Sequence, residues 1–241
     1  MDVTNALLMI GIALPGILLM VKEEKKLMEN LAPNEKVPPF WARMLNHLLL
    51  AVPFAFLGAY FIDRVGFPPL SLSGITLTVI LLSLLCAILH LIYYYGYLLK
   101  NLDAETAMKV KASQRQLGIM TRLLYGGIVE EVIFRFGLMT FFVWVFHLMI
   151  DSLFISMWLG NGLAAILFAL AHLPGMYQMK IPMTKQLLLY GNSTNVMVGL
   201  FCGWLYWTEG LAAAIVCHMM FHLVWYVYEK GFQSKTKTAP V

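Results

Sequence analysis

Charge is what this sequence has least of. Asp, Glu, Lys and Arg make up 12% of its 241 residues, against about 25% in an ordinary soluble domain. The net charge of +4 is a scatter of loop lysines and arginines, so it carries no sign of a nucleic-acid partner. Cysteine is scarce as well. Cys86, Cys202 and Cys217 lie in apolar segments at unrelated spacings. That excludes a disulfide framework or a zinc knuckle and leaves them as small core residues. There is no HExxH, so the thermolysin-like zinc arrangement is absent. The first residues, Met-Asp-Val-Thr-Asn, carry no basic run and no small-residue cleavage site follows. The N-terminus therefore reads as a retained span and not a cleaved signal peptide. No internal repeat and no low-complexity tract interrupts the chain.

What remains is apolar length. Hydrophobic residues make up 60% of the chain, arranged in runs long enough to cross a bilayer. Candidate spans fall at about 5–21, 45–62, 74–98, 118–147, 153–172, 187–207 and 211–228. The expected fold class is all-α, a polytopic membrane bundle of about seven to eight transmembrane helices. The fourth span exceeds what a bilayer needs, so it should tilt, protrude or break near Gly137. Residues 31–41 are broken by Pro33, Pro38 and Pro39 and read as an interfacial loop. Pro68 and Pro69 mark a turn, and 101–117 fits a short amphipathic surface helix. Gly199 and Gly203 form a GxxxG step suited to close helix packing. The chain divides into N-terminal spans and loops (1–117), core spans (118–228) and a tail (229–241), all of one integrated bundle.

Basic residues orient the spans. Lys22, Lys25, Lys26, Lys36 and Arg43 lie in one connection. Lys100, Lys109, Lys111 and Arg115, with Arg122 just beyond, lie in another. Lys180 and Lys185 follow, then Lys230, Lys235 and Lys237 in the tail. The alternate connections are nearly bare, 63–73 holding only Arg64. Seven spans then place the N-terminus outside and the C-terminus in the cytoplasm.

Against this apolar background stands Gly-Gly-Ile-Val-Glu-Glu-Val-Ile-Phe-Arg at 126–135. An ionisable side chain at the bilayer centre costs about 2.5–3.5 kcal/mol on insertion scales, and Glu130, Glu131 and Arg135 incur it three times within one short stretch. Glu131 and Arg135 are four apart, the acid first, which favours an ion pair on one helix face. Glu130 is rotated about 100° from Glu131 in an α-helix and is free to point elsewhere. These residues serve either as a structural polar knot or as a catalytic centre.

Few other polar groups lie in the late spans. Asn161 reads as interhelical packing. His172 closes the fifth span, Asn192 and Asn195 begin the sixth, and His218 and His222 share a face of the seventh. With the orientation above, Glu130 lies about 12 Å past Arg122 at the α-helical rise. Glu130, His172, Asn195, His218 and His222 then share the cytoplasmic half of the bilayer. An acid with two histidines and a further polar group can activate a water and stabilise an oxyanion. His47, His90 and His147 have no partner at useful spacing and read as structural.

EExxxR at Glu130–Arg135, FxxxH at Phe168–His172 and HxxxH at His218–His222 resemble the motifs of the CPBP, or Abi, intramembrane proteases. That family includes the type II CAAX prenyl endopeptidases and bacteriocin-processing proteins. The resemblance implies Glu130 as the acid that polarises water, with His172 beside it. It implies Glu131 and Arg135 as geometric supports and His218 as oxyanion donor or metal ligand. Where the family's last motif carries Asn, this chain has His222, which leaves both mechanisms open. In one, the water is activated without metal. In the other, zinc is held by His172, His218, His222 and Glu130. The implied partner is a membrane-anchored peptide, either a prenylated C-terminus or a bacteriocin, pheromone or leader peptide. Two further readings stand beside it: a non-catalytic immunity or partner-binding protein on the same scaffold, and a proton-coupled transporter, against which the lack of repeat symmetry counts.

Overall fold

The computed structural model describes residues 3–31, 36–68, 70, 72–113, 116–178 and 181–237. Pro33, Pro69, Arg115, Lys180 and the last four residues, 238–241, lie outside the described residues. Among the described residues there is no strand. The helices are α1 (Val3–Leu31), α2 (Phe40–Val65), α3 (Leu77–Leu98), α4 (Ala104–Ser113), α5 (Ile119–Met149), α6 (Leu153–Gln178), α7 (Lys185–Glu209) and α8 (Leu211–Lys237). The all-α polytopic bundle expected from the sequence is the fold observed.

Six helices, all but α4 and α7, are long and apolar enough to cross a membrane. The run Asn192-Ser193-Thr194-Asn195 makes α7 less apolar than the rest. Its packing shows that it nonetheless runs the depth of the bundle. Gly203 sits against Asn161, Gly199 against Ala165 and Gly191 against Met176. Positions on α6 rise as those on α7 fall, so the two helices are antiparallel along this length. The GxxxG step is thus a packing device: a Cβ at Gly203 would overlap the Asn161 side chain, and one at Gly199 would lie 2.6 Å from the Ala165 Cβ.

Several ends differ from expectation because helices continue past the apolar runs. α1 extends through the lysine-rich 22–30 stretch. α6 passes His172 and Pro174 to reach Gln178, and α8 takes in most of the expected tail. Polar residues extend a helix into the interface at little cost, because water satisfies their side chains. α4 is the short surface helix foreseen near 101–117. Asp103 caps it, its Oδ1 accepting the Thr106 backbone N–H at 2.9 Å.

The core centres on α5. Half of its most apolar stretch is buried inside the protein, a larger share than in any other of the six spans. It packs against α1, α2, α6 and α8. Leu7, Leu49, Leu81, Ile92, Phe154, Ile166, Leu189 and Val227 project outward from the ring around it, the apolar surface a bilayer covers.

Candidate active site

Helix α5 is the frame of the site, and it is not an ordinary α-helix. After one turn it widens to π-helix over Arg122–Glu130. It does so again over Val132–Met139. It does not break at Gly137, which packs against Phe54. π-helix is rare and concentrates at functional sites. Its i→i+5 hydrogen bonding advances less per residue than the α-helical 1.5 Å. The depth of about 12 Å foreseen for Glu130 is therefore an overestimate. The wider turn also brings residues five apart onto one face.

Glu131 is fully buried, and its Oε1 takes two partners. Arg135 Nη1 lies at 2.9 Å and His218 Nδ1 at 2.7 Å. The ion pair expected from the four-residue spacing is present. The histidine as a third member was not foreseen, because α8 supplies it from far along the chain. Phe168 completes this inner layer. Its ring lies 4.6 Å from the Arg135 guanidinium carbon and packs edge-on to His172 and His218.

Glu130 turns the other way, as expected. Its Oε2 faces His172 Nε2 at 3.8 Å and His218 Nε2 at 3.9 Å. The hydrogen-bond partners assign the tautomers. His172 Nδ1 lies 2.7 Å from the Phe168 carbonyl, which only accepts, so Nδ1 carries the hydrogen. His218 Nδ1 faces the arginine-paired Glu131, so it too donates. Both Nε2 atoms are then lone-pair acceptors. Three acceptors converge with no hydrogen among them, too far apart for direct bonds. With both rings neutral, a group that bridges them donates or is a cation. The His172 side chain is 34% exposed, against 3% for His218, so the gap is reached from the His172 side.

Two predicted members stand apart. His222 stacks face to face on His218, with ring centroids 5.0 Å apart, and its Nε2 lies against Gly126. Parallel rings do not aim their in-plane lone pairs at one point. The four-ligand zinc set is thus not assembled; Glu130, His172 and His218 gather and His222 does not. Asn195 donates its amide hydrogen to the Gly191 carbonyl of its own helix at 2.8 Å and so serves its own backbone. Asn161 is the packing residue foreseen, donating to the Leu200 carbonyl at 3.1 Å. His90 is structural, bonded to the Tyr190 hydroxyl at 2.7 Å and stacked on Phe221.

Two neighbours were missed. Cys202 lies so that its sulfur, a Glu131 oxygen and a His218 nitrogen fall within 4.8 Å of one another. A divalent ion there would sit against the Arg135 guanidinium, which already balances Glu131, so the trio reads as packing. The second is Tyr125, one widened turn before Glu130. Its hydroxyl meets His47 Nδ1 at 2.8 Å, and His47 Nε2 lies 3.4 Å from Glu24 Oε2. His47 thus has partners on α1 and α5 that sequence spacing does not reveal.

Residues 113–224 match the family model described as Type II CAAX prenyl endopeptidase Rce1-like. Over these residues, just under half of the chain, the sequence is similar to that family. The matched segment holds every residue of the three motifs, and the family is the one they resemble. Helices α1 to α3 lie outside it. No curated protein and no solved structure matches the chain.

Proposed function

We propose that this protein is an intramembrane endopeptidase that cleaves a prenylated, CAAX-type peptide with a water held by Glu130, His172 and His218. The observation that carries the proposal is the convergence of three acceptors on one gap. A water is the donor that fits it, giving one hydrogen to the Glu130 carboxylate and the other to an imidazole Nε2. A purely structural knot would pair its members directly, as Glu131, Arg135 and His218 do. This favours the enzyme over a non-catalytic scaffold.

The chemistry follows from the acceptors. Glu130 takes a proton as the water oxygen bonds to the scissile carbonyl carbon. It returns that proton to the amine as the carbon–nitrogen bond breaks. His172 orients the water, its own ring held by the Phe168 carbonyl. His218, fixed by Glu131, accepts in its neutral form. The oxyanion role implied for His218 fits only its imidazolium, whose charge Glu131 would offset.

A carboxylate and two imidazoles are the residue types that hold zinc, and zinc bound there would polarise a water. The Glu130, His172 and His218 ligand atoms do not all come within 4.8 Å of one another, so the arrangement favours the metal-free form. The pattern of basic residues supports a reading in which this gap faces the cytoplasm.

The test uses purified protein in lipid nanodiscs and a farnesylated peptide. Wild type should cleave it. Glu130→Gln should lose roughly 10²–10⁴-fold in kcat, the size of a general-base contribution. A folded wild type that cleaves no prenylated peptide overturns the proposal. Loss of activity with a chelator, restored by zinc, together with stoichiometric bound metal, selects the zinc form.

A further inference from the structure

We propose that α1 and α2, outside the family-matched segment, complete the substrate site: Glu24 and His47 fix the Tyr125 hydroxyl as a hydrogen-bond acceptor beside Glu130, where it takes the N–H of the peptide bond to be cleaved. This inference rests on the endopeptidase reading and adds a substrate-binding residue to it.

The polarity of the chain follows from its outer end. The Glu24 carboxylate only accepts, so neutral His47 carries its hydrogen on Nε2, the atom 3.4 Å from Glu24 Oε2. Nδ1 is then a lone pair, and the Tyr125 hydroxyl at 2.8 Å must donate to it. With its only hydrogen committed, the phenolic oxygen has only lone pairs to offer. His47 also packs edge-on against the Tyr125 ring, with centroids 5.2 Å apart, which holds the ring as well as the proton.

The π-helical winding sets where that oxygen lies. Tyr125 and Glu130 are five apart within Arg122–Glu130. In an α-helix, five residues would rotate them about 140° apart. In a π-helix they return to nearly one face, and Tyr125 lies within electrostatic reach of both Glu130 and Glu24.

The substrate supplies the need for an acceptor. A trans peptide points its N–H opposite its carbonyl. A peptide presenting its carbonyl to the water at Glu130 therefore turns its N–H away from it. Leaving that N–H unpaired in an apolar interior carries a large penalty. The acceptors at the gap face the water, which takes the space between them and gives its two hydrogens to Glu130 and one imidazole. Tyr125 offers the next one, a turn along the same helix.

The test compares an amide substrate with its depsipeptide, in which an ester oxygen replaces the scissile N–H. In Tyr125→Phe the ratio of amide to ester kcat/KM should fall about 3–10-fold, the range of one hydrogen bond. His47→Leu, which keeps the hydroxyl but frees its proton, should lower the ratio in the same direction. It serves as the second variant if Tyr125→Phe does not fold. An unchanged ratio, with both substrates slowed alike, makes Tyr125 merely structural and overturns the inference while the endopeptidase reading stands. Cleavage of neither substrate by folded wild type overturns both.

Discussion

His222 shows how one side chain is decided by its neighbour. It lies where the resembled family carries Asn, and imidazole is the larger group. The room comes from Gly126 on the facing helix, where a Cβ would lie 2.7 Å from His222 Nε2. Gly126→Ala should therefore destabilise the protein by about 1–3 kcal/mol, the usual cost of overpacking. His222→Asn should restore most of that loss, because the shorter side chain withdraws from Cβ. Thermal unfolding in detergent of both single variants and the double variant measures the coupling. Additive effects would mean that the two positions do not share the space. The sequence showed His222 as an oddity within a motif; that it fills a glycine notch was not legible, because the two residues are 96 positions apart. Glu131 and Arg135 were legible as a pair, since four-residue spacing survives even in the widened helix.

At the scale of elements, α7 depends on close approach more than on hydrophobicity. Its Asn192–Asn195 run reduces its apolar character, and glycine compensates by letting its backbone approach α6. Gly203→Val should force α6 and α7 apart at Asn161 and cost about 1–3 kcal/mol, read as a lower Tm. Gly162→Ala on α6, where added atoms meet nothing within 4 Å, is the control and should stay within about 0.5 kcal/mol. Equal losses would show that the contact does not set the effect, since both substitutions raise helix propensity over glycine. α5 carries the other element-scale lesson. Its apolar run marked it as a span, but nothing in residue type announced π-winding. Gly126 and Gly127 permit it, and the packing of four neighbouring helices selects it.

At the scale of the whole molecule, six helices are long and apolar enough to cross a membrane, and if α7 crosses beside α6 the two termini are expected on opposite sides. The basic residues then predict a cytoplasmic C-terminus. Reporter fusions at each end check this, the C-terminal fusion being active only with a cytoplasmic reporter and the N-terminal one only with an external reporter. Both termini on one side would mean that α7 does not cross. A groove of about 580 Å³ along the outer face of α7, lined by residues from Leu189 to Phe201, holds no ionisable side chain. Glu130, Glu131, Arg135, His172 and His218 instead gather around α5.

The sequence by itself determined the membrane class, the approximate spans and the residues with chemistry to offer. It could do so because bilayer insertion penalises charge so heavily that every retained ionisable group stands out. Tertiary structure alone decided which of these groups meet. Glu130 faces His172 and His218 because α6 and α8 close around a widened α5. Asn195 bonds its own helix, and His222 stacks beside the group without joining it. Tyr125 gains its partners from helices whose sequence gave no hint of the site. Spacing along one helix reports which residues share its face, whereas contact between helices depends on how their surfaces pack, and short-range periodicity does not encode that.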